Sequence, residues 1–321
     1  MKKQKISRRA ALAQTSLIVG ATFAGRHVKA APASTDAAAT KKTEPFLFCL
    51  NTSTISGQKL GLVKEIEVAA KAGYQGIEPW IRTIDDYIKG GGSLKDIKKR
   101  LDDSGLIVED AIGFPEWLVD DDARRAKGLE RAKYELDLVA QLGGKRLAAP
   151  PAGATNTPGM DLLQAAERYR ALLELGDQAG VVPQFELWGH SKNFYRLGQC
   201  VCSAMETGHP KACVLADVFH LYKGGSDFHG LKLLGENTVQ VIHMNDYPSD
   251  PPREKINDSY RVYPGDGSGP VAEILRLLHA TGGQKVLSLE LFNRKYYEQD
   301  ALDVARTGLE KMKAVAAKAL A

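Results

Sequence analysis

The sequence predicts a single-domain α/β fold, a (β/α)8 TIM barrel, and two observations carry that expectation. From residue 46 onward, eight short apolar runs of strand type alternate with helical patterns, with no second composition regime. Four runs in the second half also end on an acid or a histidine. They are Val182-Pro-Gln-Phe-Glu186, Cys213-Val-Leu-Ala-Asp217, Val239-Gln-Val-Ile-His243 and Val286-Leu-Ser-Leu-Glu290. Strand C-termini of a closed parallel barrel converge on one face, so four residues remote in sequence can meet there. A doubly wound open sheet is the competing architecture. It is disfavoured because no glycine-rich phosphate turn follows any strand.

Taken in order, residues 46–50 read as a strand, and residues 60–72 have helical spacing that stops at Gly73. Residues 75–79 form a short second strand, 94–103 a helix stopped by Gly105, and 106–112 a third strand. A long amphipathic helix over 122–142 ends at Gly143-Gly144, and the fourth strand, 146–149, is blocked by Pro150-Pro151. A helix over 161–179 leads to the strand ending at Glu186. A helix over 195–207 leads to the strand ending at Asp217. A short helical connection near 231–234 precedes the strand through His243. A loop rich in Pro, Asp and Gly spans 247–269, and a helix (271–280), the eighth strand (285–291) and a last helix (301–319) follow.

The segment before the barrel reads as an address. Ser7-Arg8-Arg9-Ala10-Ala11-Leu12 resembles a twin-arginine export signal, an apolar stretch over 13–24 follows, and Val28-Lys29-Ala30 offers a cleavage site. The expected organisation is a signal peptide over 1–30, a flexible spacer over 31–45 and a catalytic barrel over 46–321, with a periplasmic or otherwise exported destination. The leader holds seven of the 43 basic residues and none of the 39 acidic ones, which leaves the remainder at a formal −3. The +4 of the whole chain therefore gives no attraction to nucleic acid. Cys49, Cys200, Cys202 and Cys213 form no CxxC pair. A twin-arginine substrate folds before export, in a reducing compartment, so these read as buried small hydrophobes.

Glu186, Asp217, His243 and Glu290 make a hard, mostly oxygen donor set for one divalent ion. It suits Mn²⁺, Mg²⁺ or Co²⁺ better than a structural zinc. Such an ion, chelated by the carbonyl and hydroxyl of an α-hydroxyketone, stabilises a developing enediolate. Glu186 and Glu290 come from strands three steps apart and would flank the substrate as catalytic base and acid, while Asp217 and His243 complete the shell. Each residue also has a plainer reading, as a helix cap or an ion-pair partner. Their agreement over four consecutive strands is what favours the metal site.

Several motifs extend this set: Gly76-Ile-Glu78, Phe185-Glu-Leu-Trp188, Ala216-Asp-Val-Phe-His220, Ile242-His-Met-Asn-Asp246, Arg261-Val-Tyr-Pro-Gly-Asp-Gly267 and Ser288-Leu-Glu290. With them the chain from residue 46 resembles the xylose-isomerase-like TIM barrels, a group that includes sugar 3-epimerases, hydroxypyruvate isomerases and inosose dehydratases. The resemblance implies the same Glu, Asp, His, Glu ligand set, and substrate contacts from His220 and Arg261. Glu78 is expected among the substrate-binding residues, anchoring the site, or else to pair with Arg82. Trp188, with Trp80 and Phe114, would stack on a sugar face or cap the core. Asp246 and Asn245 are expected as polar substrate contacts, and His190 as a loop residue.

The resulting expectation is a metal-dependent isomerase or epimerase of a non-phosphorylated keto-sugar or keto-polyol. The alternative is a lyase, dehydratase or hydratase on 3-keto-glycosides or an inosose, through the same enediolate. A nuclease sharing the fold would need a His-rich, three-ion site. This chain has six His beyond the leader and a net acidic charge there. A non-catalytic sugar-binding protein would be marked by loss of a catalytic Glu, and both are present. The expected partners are a small carbohydrate and, in transit, the twin-arginine export machinery, with no nucleic acid. Assembly into a homo-oligomer is left open.

Overall fold

The computed structural model describes residues 44–321. The expected leader and all but the end of the spacer lie outside the described residues. Eight parallel strands follow the order β3-β2-β1-β8-β7-β6-β5-β4. They are β1 (Phe46–Asn51), β2 (Gly76–Glu78), β3 (Ile107–Val108), β4 (Arg146–Ala149), β5 (Val182–Glu186), β6 (Val214–Asp217), β7 (Val241–Met244) and β8 (Lys285–Leu289). No ladder joins β3 to β4, yet the circle closes. Lys145 N–H donates to Val108 C=O at 3.1 Å, Ala148 N–H donates to Ala111 C=O at 2.9 Å, and Ile112 bridges Ala148. The architecture is the expected (β/α)8 barrel.

Ten helices of the described residues surround it: α1 (Leu62–Ala72), α2 (Ile81–Lys89), α3 (Leu94–Asp103), α4 (Asp122–Gln141), α5 (Leu162–Ala179), α6 (Leu197–Glu206), α7 (Val218–Gly224), α8 (Val271–Ala280), α9 (Arg294–Tyr297) and α10 (Ala301–Leu320). Local chemistry sets their ends. Asp161 accepts from the N–H groups of Leu163 and Gln164 to start α5, and Gly73 at φ 94° ends α1 where a side chain would be strained. None of the described helices is long and apolar enough to cross a membrane.

Most of the hydrophobic core lies between sheet and helices, with a smaller cluster (Leu47, Cys49, Ile112, Ala148, Leu215, Val241, Val286) filling the barrel's interior. Cys49, Cys200 and Cys213 are buried free thiols, while Cys202 is partly exposed.

Five short features depart from expectation. The third strand shrinks to two laddered residues, because beyond Val108 both Glu109 and Asp110 are drawn to polar partners, Lys145 with Arg146 and Gln184 respectively. Helix α2 begins directly after the second strand and buries only Ile81 and Ile84, too few apolar positions to register as a period. Helix α7 starts on the residue after Asp217, and the connection expected near 231–234 is a 3-10 turn over Phe228–Leu233. Helix α9 is a single turn.

Candidate active site

The two-residue period of a strand decides which side chains enter the barrel. On the last four strands Phe185, Ala216, Ile242 and Leu289 face the helices and join the main core. Their neighbours Glu186, Asp217, His243 and Glu290 face inward, each 4% exposed or less. Parallel register sets the heights. Asp217 pairs with His243, and His243 with Ser288, so Glu290 stands two residues above.

The four side chains converge on His243 Nδ1. Its distances are 3.1 Å to Glu290 Oε2, 3.4 Å to Glu186 Oε1 and 3.7 Å to Asp217 Oδ2. Donor atoms of Glu186, His243 and Glu290 all lie within 4.8 Å of one another. The other ring nitrogen, Nε2, contacts Glu78 Oε1 at 2.9 Å, and Glu78 also accepts from Ser288 Oγ. With Nε2–H on Glu78, a neutral ring aims the Nδ1 lone pair at three carboxylates, and Nδ1 has no hydrogen-bond partner. That arrangement is repulsive unless a cation stands among the four groups, or unless the ring takes a second proton. Burial opposes that proton, but Glu290 and Glu78 outweigh it and hold the His243 pKa well above its usual value. The donor set therefore fits one divalent cation.

Asp217 divides its two oxygens. Oδ1 caps α7 by accepting from His220 N–H at 2.7 Å. Oδ2 accepts from Asn245 Nδ2 at 3.1 Å and from Arg261 Nη1 at 2.7 Å. Arg261 Nη1 also reaches Glu290 Oε2 at 2.8 Å, while Nε and Nη2 go to Asp258 Oδ1 at 3.1 and 2.6 Å. The guanidinium lies over the rings of Phe219 and Phe292, 4.8 and 5.1 Å from their centroids. Arg261 N–H can only donate, so His220 Nε2, 3.2 Å from Nη2, accepts and leaves the proton of the neutral ring on Nδ1, which has no partner. Burial keeps that ring neutral, with its pKa lowered to about 4. The two glutamates differ. Burial pushes Glu186 up to about 7. Burial acts on Glu290 too, but His243 and Arg261 hold it well below the usual carboxylate range.

Above this floor is a cavity of about 240 Å³, lined by Glu186, Glu290, Arg261, Asp258 and His220 with Trp80, Phe114, Trp188, His190 and Phe292. The rings form a chain of contacts. Phe292 meets Trp80 at 6.1 Å, Trp80 meets Phe114 at 5.4 Å, and Phe114 meets Trp188 at 6.0 Å. Trp188 then meets His190 at 5.2 Å, and His190 meets His220 at 5.6 Å.

Three expectations need correction. Glu78 is not a substrate contact. It is fully buried and absent from the cavity wall, and its oxygens are taken by His243 and Ser288. Asp246 is not one either, because its carboxylate accepts from the backbone N–H groups of Tyr247, Gly265, Gly267 and Gly269 and so shapes the loop after Arg261. Asn245 likewise serves Asp217 and the N–H of Phe219. His190 lies in a loop, as expected, and lines the cavity. Sequence reasoning also missed Asp258, Phe292 and Asn51. Asn51 accepts from Trp80 Nε1 at 3.0 Å and donates to Glu290 Oε1 at 3.1 Å, so it ties the first strand's end to the site.

Known proteins share this arrangement of strands and helices. Inosose isomerase of Bacillus velezensis is 26% identical over 280 residues, covering 84% of this chain and 97% of the relative. The 3-dehydroshikimate dehydratase of Pseudomonas putida is 25% identical over 264 residues, 81% of this chain but only 40% of that longer protein. Among solved structures, the IolI protein with a bound zinc atom superposes with a TM-score of 0.77 at 22% identity, covering 85% of this chain and 98% of that one. The model of the xylose isomerase-like TIM barrel family matches residues 66–315, and the chain belongs to that family.

Proposed function

We propose that this protein is a divalent-metal-dependent enzyme that shifts a proton beside the carbonyl of a non-phosphorylated keto-sugar or keto-polyol, as an isomerase or epimerase. The observation that carries the reading is the unpartnered Nδ1 of His243 facing three carboxylates at the floor of a cavity. Glu186, Asp217, His243 and Glu290 would hold the ion, and Glu78 would orient His243. When bound, the ion supplies Lewis-acid stabilisation of charge developing on a substrate oxygen. Glu186 and Glu290 line the cavity and would take and return the proton at a substrate carbon. Asn51 and Arg261 steady Glu290 by hydrogen bonds. Relatives named as inosose isomerase and as 3-dehydroshikimate dehydratase support chemistry of this kind on polyhydroxylated rings. The donor set accepts Zn²⁺, the ion of the IolI protein, as well as Mn²⁺ or Mg²⁺.

A second reading, loss of water or of an alcohol from the neighbouring carbon, is favoured by one observation. His220 lines the cavity, and its neutral ring carries an unpartnered Nδ1–H able to hydrogen-bond a leaving oxygen. Incubation of metal-loaded protein in D₂O with keto-sugars and keto-polyols, followed by NMR, separates the readings. Deuterium retained in a rearranged product supports the first, and an unsaturated product supports the second. Absence of any exchange beside the carbonyl overturns both.

The leader motif supports export by the twin-arginine route. Replacing Arg8 and Arg9 together by Lys is expected to strand the precursor in the cytoplasm. Unchanged periplasmic accumulation would refute that route.

A further inference from the structure

We infer that the cavity takes a single uncharged polyhydroxylated ring and rejects rings bearing a carboxylate or phosphate; this rests on the metal-site reading above. Two independent observations carry it, the charge inventory of the floor and the material of the walls.

Among the described residues lining the cavity, Arg261 is the sole Lys or Arg. None of its nitrogens is idle. Nη1 serves Asp217 and Glu290, and Nε and Nη2 serve Asp258. A substrate anion would ordinarily be met by the free fork of such a residue, and here the fork is taken by acids of the protein. A bound divalent ion does not reverse the balance. Ion and Arg261 together bring three positive charges, against four carboxylates on Glu186, Asp217, Glu290 and Asp258. His220 adds none, since its Nε2 accepts from Arg261, and burial lowers the pKa of His190. An anion entering this floor would be desolvated next to a surplus of its own sign.

The walls point the same way. Trp80, Phe114, Trp188 and Phe292 give faces and edges without ionic groups, suited to the C–H face of a ring whose hydroxyls turn toward the floor. The volume, about 240 Å³, lies below the roughly 300 Å³ at which drug-sized pockets begin. That leaves room for one ring.

Two ring ketones of similar size provide the test, 2-keto-myo-inositol (neutral) and 3-dehydroquinate (carboxylated). Binding to Zn²⁺-loaded protein is read from tryptophan fluorescence, since Trp80 and Trp188 line the cavity. The neutral ring is expected to bind at least about tenfold more tightly. Asp258→Asn, which releases part of the Arg261 fork, should narrow that gap by improving the carboxylated ring. Equal or tighter binding of 3-dehydroquinate by the wild type overturns the inference, as does a gap unchanged in the variant. Failure of both rings to bind, with calorimetry showing one ion taken up, overturns the substrate class and leaves the metal site standing. Failure to take up an ion would instead sink the reading of the site itself.

Discussion

Two clusters of buried charge lie inside this barrel, and they are built on opposite principles. In the lower one, near the start of β4, Glu109 is 1% exposed and is answered by Lys145 at 2.8 Å and Arg146 at 3.1 Å. Arg146 also donates to Gln240 at 2.7 Å. There each carboxylate oxygen meets a cation. In the upper one, Glu78, Glu186, Asp217 and Glu290 crowd round one imidazole and one guanidinium, and His243 Nδ1 and His220 Nδ1 have no partner. A balanced network fills its own hydrogen bonds and has nothing left for a ligand. An unbalanced one is tolerated only where something else completes it. Burial and charge density alone do not separate the two; the unmet atoms do.

The largest effect that would sharpen this contrast is on turnover. Glu186→Gln and Glu290→Gln keep an oxygen of the same shape and remove the base, so each is expected to cut the rate by about 10²–10⁴-fold while metal is largely retained. Exchange of the substrate's α-proton into D₂O at the wild-type rate in both variants would break the two-carboxylate mechanism. His243→Ala should come next, lowering ion affinity by about 10–100-fold or more. Metal analysis after dialysis is the measurement, and full occupancy in the variant would show that the lone pair is not a ligand.

The lower cluster should respond in stability and not in metal. Glu109→Gln leaves two partly solvated cations without their acid, and a loss of about 1–2 kcal/mol in urea unfolding is expected, with ion uptake unchanged. An ion affinity that fell with it would merge the two clusters into one.

A pH-dependent effect concerns Glu65, a buried acid outside both clusters. It is 4% exposed, and Oε2 has no partner. Burial raises its pKa from 4.5 to about 7, against a smaller opposing effect of Thr52 and Arg82. A raised carboxyl favours folding below the unfolded value and loses that contribution as pH climbs from 4.5 through 7. Glu65→Gln should therefore stabilise the protein by about 3 kcal/mol at pH 8 and by little at pH 4. A difference in Tm that does not change with pH would contradict this.

The floor of the site was legible because its residues end regular strands, where a two-residue period and a terminal acid are visible in one dimension. The walls were less so. Phe292 and Asp258 come from irregular segments with no period to read, and Asn51 carries no chemistry of its own until Trp80 and Glu290 fold against it. Asp246 was misread because it is three residues beyond His243, on the opposite phase of the strand. That places its carboxylate among the amides of the following glycine turn. Helix α7 was hidden because its cap, Asp217, already had a stronger reading as a ligand.

The collar has a consequence for how such a protein can change. Phe292 follows β8, Trp80 follows β2, Phe114 follows β3, Trp188 and His190 follow β5, and His220 belongs to the helix after β6. No two neighbouring loops share responsibility for one ring. Substrate range can therefore drift by single codons, each altering one facet, while the strand-borne floor is inherited intact. A library randomised at Phe114 and Trp188 would sample new selectivities without touching Glu186, Asp217, His243 and Glu290.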